Sequence, residues 1–161
     1  MFGAMNEDNY PNMDTDPAFI AATPLGWSRR VMQIYSAPPP TPSSGIAPNV
    51  VLMRETLPAG APPAERSDQL MAYAQSQVRS LGAQLREPAF DPLERLIYRD
   101  VPVVRVNVTW SSGKTRVRQW IVFFPLADTH VLVATATAAD SEFRTYTPAF
   151  AELLGSVTLP S

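Results

Sequence analysis

The sequence predicts an α+β protein in which an antiparallel sheet of about six to seven strands packs against two helices. Residues 70–85 and 143–154 carry apolar side chains at three- and four-residue steps, the period of a helix with one buried face. The other apolar runs are short and are separated by Pro, Gly, Ser or Asp, as strands and turns are. Because tight turns join most of these strands in succession, we expect antiparallel pairing.

Each element can be assigned from its own pattern. Strands are predicted at residues 19–22, 31–35, 50–55, 96–98, 101–110, 115–124 and 131–138. Pro24-Leu25-Gly26-Trp27 separates the first two strands as a turn, and Ser111-Ser112-Gly113-Lys114 joins the two longest as a hairpin. Gly82 is a candidate end for the first helix, and Asp140 is predicted to cap the second.

The chain is organised as an N-terminal arm and one domain. Residues 1–16 contain four acidic and no basic residues and predict a loose arm, whereas residues 17–161 are long enough to bury a core of their own. The first residues lack a basic start followed by an apolar run, and no apolar stretch is long enough to span a bilayer. We therefore expect a cytoplasmic protein that is not embedded in a membrane. Either Met1 or Met5 can be the natural start.

The residues that could carry chemistry are few, which predicts a protein that is not an enzyme and needs no cofactor. The chain has no cysteine and a single histidine, His130, so neither a metal pair nor a nucleophile activated by histidine can be assembled. His130 is expected to be a solvated residue beside a turn. No glycine-rich phosphate-binding motif is present.

A short basic row is the strongest indication of nucleic-acid binding, and it is weak. Lys114, Arg116 and Arg118 alternate along one predicted strand, and Trp120 continues their face. The chain has a net charge of −2 at pH 7, which gives nucleic acid no general attraction. We interpret the row as a charged face in solvent and expect no nucleic-acid partner.

The strands offer more apolar positions than two helices can cover. Val117, Gln119, Ile121 and Phe123 alternate with the basic row, and Met32 and Ile34 share a face of an earlier strand. Uncovered apolar surface on a sheet indicates a protein partner. For any one of these residues, a place in the core under a helix remains the alternative.

Four segments resemble the DcrB-related domain family in order and spacing. Phe19–Tyr35, with the sequence FIAATPLGWSRRVMQIY, resembles the opening strand, turn and second strand of that family. Val117–Phe123 resembles its arginine-glutamine strand, Val131–Thr137 its penultimate strand, and Phe143–Val157 its closing helix and end. The acidic arm and the proline-rich loop at 38–48 depart from the family pattern.

The resemblance implies a Mog1/PsbP-like sandwich for residues 17–161 and a function as a binding protein. Stand-alone cytoplasmic members are similar to the effector-associated (Eag) chaperones of type VI secretion systems. Those chaperones are homodimers whose apolar groove shields the N-terminal transmembrane helices of a PAAR-type effector before export. By this resemblance the groove would contain Met32, Gln33, Ile34, Gln119 and Ile121. The alternative is a non-catalytic interaction module of the same fold with a different protein partner.

Overall fold

The computed structural model describes residues 24–27, 30–57, 66–126 and 130–159. The acidic arm and the predicted strand at 19–22 lie outside these residues. The elements are β1 (Met32–Ser36), β2 (Asn49–Thr56), α1 (Arg66–Gln84), β3 (Ala89–Phe90), β4 (Glu94–Tyr98), β5 (Val101–Ser112), β6 (Thr115–Pro125), β7 (His130–Ala139) and α2 (Phe143–Gly155). The predicted α+β class with an antiparallel sheet and two helices is confirmed.

In the described part of the chain, the sheet has seven strands in the order β1-β2-β7-β6-β5-β3, and β4 also pairs with β5. Every pairing is antiparallel. The two-residue strand β3 was not predicted, because a segment of two residues is too short to show a strand period. β1 is the strand at one edge of this sheet.

The two helices pack on opposite faces of the sheet. Successive strand residues point to opposite faces, so each long strand supplies two separate cores. Leu70 and Ala74 of α1 pack with the buried residues Val104, Val106, Val108, Ile121, Phe123 and Val131. Phe143, Phe150 and Leu154 of α2 pack with Val50, Val103, Val122, Phe124, Ala134, Ala136 and Ala138. We call these two sides of the sheet the α1 face and the α2 face.

Two predicted helix boundaries are wrong. Gly82 does not end α1, which continues to Gln84, and the chain turns away at Glu87 with a φ of 50°. Asp140 does not cap α2. That helix begins at Phe143 with Glu142 as its N-terminal cap, and Asp140 instead accepts a 2.6 Å hydrogen bond from Nε of Arg118.

Of the predicted basic row, Lys114 lies exposed in the hairpin turn as expected, but Arg116, Arg118 and Trp120 of β6 lie on the α2 face and are half-buried, which the sequence did not predict. The ring of Trp120 packs edge-on against Phe143, with 5.1 Å between the ring centroids. Arg118 lies over Phe143 while it pairs with Asp140, so its charge is neutralised beside an apolar ring. Arg116 is half-buried and donates to the backbone oxygen of Glu87 and to two hydroxyl groups.

His130 is also placed differently from the prediction. It is the first residue of β7, where it pairs with Thr56 of β2, and it is half-buried rather than solvated. Its Nδ1 atom is buried and has no hydrogen-bond partner in the described part of the chain.

Candidate binding surface

Large apolar side chains are exposed mainly around β1. Of the seven such residues in the described chain, six lie between Leu25 and Tyr35 and the seventh is Ile97 of β4. The six are Leu25, Trp27, Val31, Met32, Ile34 and Tyr35. Single exposed apolar residues are ordinary on protein surfaces, whereas contiguous apolar patches are a common feature of interaction sites.

The segment before β1 is shaped by the predicted turn. The backbone N–H of Trp27 donates to the backbone oxygen of Pro24 over 3.0 Å, and Gly26 between them has a φ of 82°. That left-handed conformation suits glycine, which has no Cβ to clash. The turn leaves Leu25 and Trp27 exposed, the latter at 75%.

The loop after β1 is tied to the start of α2. The hydroxyl group of Ser44 donates to a carboxylate oxygen of Glu142 over 2.8 Å. The N–H of Ala37 bonds to the oxygen of Pro48, whose side chain is fully buried. These contacts hold the end of β1 and the beginning of β2 in place. The exposed residues of β1 therefore belong to a strand whose position is fixed.

An apolar patch on the α1 face extends from β1 to β2. Met32 pairs with Met53 and Ile34 with Val51, so all four side chains point to the α1 face, and we call them the β1 apolar patch. Met32 is 53% exposed and Ile34 is 61% exposed, whereas Val51 and Met53 are half-buried. The patch is open because α1 packs over β5 and β6, on the other side of β7.

One end of the patch carries a negative charge and the other end is polar. Glu55 follows Met53 on the same face, and Ser36 pairs with Asn49 at the opposite end. Burial raises the pKa of the Tyr73 hydroxyl above its usual value, and the negative charge of Glu55 raises it further. Tyr73 is therefore neutral at physiological pH, and Glu55 is the charged side chain that borders this end of the patch, whose own four residues are all apolar.

The five residues predicted for a groove do not form one surface. Met32 and Ile34 lie in the patch, but Gln33 points to the α2 face. Gln119 and Ile121 do share the α1 face, but they lie where α1 covers the sheet. Ile121 is 4% exposed, and the amide of Gln119 accepts from Nε1 of Trp110 and donates to the hydroxyl group of Thr137.

The residues of β1 that point to the α2 face border a groove of about 540 Å³. Gln33 and Tyr35 form one side of it, Leu52 and Leu132 form its floor, and residues 156–159 after α2 form the other side. No pattern along the chain predicts this groove. Its lining comes from four segments that are distant along the chain, at residues 31–35, at 52–54, at 126 and 132, and at 153–159, and only the tertiary fold brings them together.

The described residues contain no group of three or more His, Cys, Asp or Glu side chains that could hold a metal ion. Neither of the described helices is long and apolar enough to cross a membrane.

Two solved structures show which fold this chain shares. PA94 from Pseudomonas aeruginosa, a protein of unknown function for which a regulatory role has been suggested, matches with a TM-score of 0.69 at 17% identity, over 86% of this chain and 89% of PA94. The cyanobacterial PsbP (CyanoP) from Synechocystis matches with a TM-score of 0.51 at 9% identity, over 86% of this chain and 98% of CyanoP. The predicted PsbP-like fold is confirmed.

The chain belongs to the DcrB family, because the model of that family matches residues 21–151. The match includes the turn at Trp27, the whole sheet and most of α2. A search of curated proteins found no match.

Proposed function

We propose that the protein is a cytoplasmic chaperone or adaptor that binds the N-terminal transmembrane helices of a type VI secretion effector of the PAAR type and shields them until export. The observation that supports this function most directly is the β1 apolar patch. Membership of the DcrB family and the PsbP-like fold support the broader function of a non-catalytic interaction module.

The physical requirements of such a client match the patch. A transmembrane helix satisfies its own backbone hydrogen bonds, so in water only its apolar side chains need cover. Met32 and Met53 suit this task, because the unbranched thioether side chain adapts to clients of varied shape. Covering about 1,000 Å² of apolar surface contributes on the order of 25 kcal/mol before the cost of association is subtracted.

A binding experiment with a synthetic helix tests this function. The probe is a labelled peptide of about 20 leucine and alanine residues with lysines at both ends, the length that spans a bilayer. We expect the protein to keep the peptide in solution and to raise its fluorescence anisotropy with saturation. A control peptide with glutamine at every second leucine position should not bind. A protein that fails to keep the apolar peptide in solution would contradict the proposal.

We further propose that the chaperone acts as a homodimer. The five residues of β1 span about 17 Å at the rise of a strand, whereas a helix of about 20 residues is about 30 Å long. Two copies related by a two-fold axis would double the apolar surface. Multi-angle light scattering at micromolar concentration should give twice the 17.7 kDa mass of the chain. A stable monomer that still binds the peptide with full affinity would show that one copy is sufficient.

A further inference from the structure

We propose that the groove on the α2 face is a second binding site, which takes a single-chain amphiphile with an anionic head, the chemistry of a fatty acid carboxylate. This site lies on the opposite face of the sheet from the β1 apolar patch. It does not depend on the proposed chaperone function.

The walls of the groove are apolar because the α2 core is not closed there. Leu52, Leu132, Leu153, Val157 and Leu159 pack against that core but are only partly buried, and all five border the groove. A volume of about 540 Å³ is within the range of small-molecule sites, which combine apolar walls with a few polar groups. An apolar ligand would complete the burial of these side chains.

The hydroxyl groups that line the groove are hydrogen-bonded within the protein, whereas the charged side chain there is unpaired among the described residues. The hydroxyl group of Ser156 donates to the oxygen of Leu153, that of Thr158 to the oxygen of Ser156, and that of Tyr35 to the side chain of Gln33. Arg54 also lines the groove, and it forms no ion pair with any residue in the described ranges. A guanidinium group with all its donors available is suited to a carboxylate, which it can hold through two parallel hydrogen bonds.

The position of Arg54 sets the direction of the ligand. Arg54 pairs with Leu132 in the sheet, and Leu52 and Val50 follow it along β2 on the same face. Val50 is opposite Tyr35, so about 13 Å of strand separates the charged end of the groove from the Tyr35 end. A carboxylate at Arg54 would therefore direct an acyl chain along β1. A free inorganic anion would leave the apolar side chains of the groove exposed to water, and an uncharged hydrocarbon would leave Arg54 unpaired.

Calorimetric titration with laurate, kept below its micelle concentration, tests the site. We expect saturable binding of laurate, and weaker binding of dodecanol, which has the same chain without the charge. Arg54→Gln should weaken laurate binding about tenfold, the worth of a charge-assisted hydrogen bond. Arg79→Gln, which removes an exposed arginine on α1, should leave it unchanged.

A second pair of variants locates the acyl chain. Gln33→Trp introduces a ring that fills the groove from an exposed strand position and should abolish laurate binding. Met32→Gln changes the neighbouring residue on the other face and should have no effect. Melting followed by circular dichroism checks that both variants are folded.

Four outcomes would overturn the proposal. Laurate that binds no more tightly than dodecanol, or equal affinities for the Arg54 and Arg79 variants, would show that the groove does not recognise an anionic head. Laurate that binds the Gln33→Trp variant with full affinity would place the ligand elsewhere. A short apolar peptide that binds in the groove when laurate does not would make it a peptide site.

Discussion

Replacing Met32 and Ile34 together by aspartate is expected to leave the protein folded and to weaken its binding of the apolar helix at least about a hundredfold. Both residues are more than half exposed on an edge strand, where substitutions change the free energy of unfolding by about 0.5 kcal/mol or less. In the complex each carboxylate would face an apolar helix away from water, which costs several kcal/mol. Fluorescence anisotropy with the labelled helix measures the loss of affinity, and melting by circular dichroism measures the fold.

Ile97→Asp is the matched control for this variant. Ile97 is 75% exposed, but it lies on β4, at the opposite edge of the described sheet from β1. This substitution should leave both the affinity for the helix and the melting temperature unchanged. Equal loss of binding in the two variants would show that the peptide adheres to any exposed apolar residue. A folded Met32→Asp/Ile34→Asp variant that still binds would remove the patch from the site.

The sequence predicted which residues share a face, but it could not predict which helix covers that face. The alternation along β6 separates Ile121 and Phe123 from Arg118 and Trp120, and the structure keeps these two sets apart. Charge led to the prediction that the second set is solvated. Arg118 lies beside Phe143 because Asp140 pairs with it, and this tertiary contact is not visible in a strand pattern.

The sequence could likewise predict only part of the candidate site. Met32 and Ile34 could be chosen from the sequence because two apolar residues two positions apart share one face of a strand. Gln119 and Ile121 have the same orientation, but the strand order β1-β2-β7-β6 places them across the sheet, under α1. Strand order depends on the long-range pairing of β2 with β7, for which a single sequence carries no local signal.

Ile121→Ala is expected to lower the free energy of unfolding by about 2–5 kcal/mol, whereas Ile34→Ala should change it by about 0.5 kcal/mol or less. The two isoleucines belong to one row of the sheet, Ile34–Val51–Thr135–Ile121, and point to the same face. Ile121 is 4% exposed under α1 and Ile34 is 61% exposed. Unfolding by urea with a single cooperative transition measures both values.

The two variants are expected to differ in the free energy of unfolding because α1 covers the sheet at Ile121 but not at Ile34. Three strand spacings, about 14 Å, separate the two isoleucines along their row. Removing the same atoms leaves a cavity at Ile121, where Leu70 and Phe123 are held by the surrounding core, and leaves only solvent at Ile34. Equal costs at both positions would mean that the α1 face is covered as far as β1. The β1 apolar patch would then be part of the core and not a binding surface.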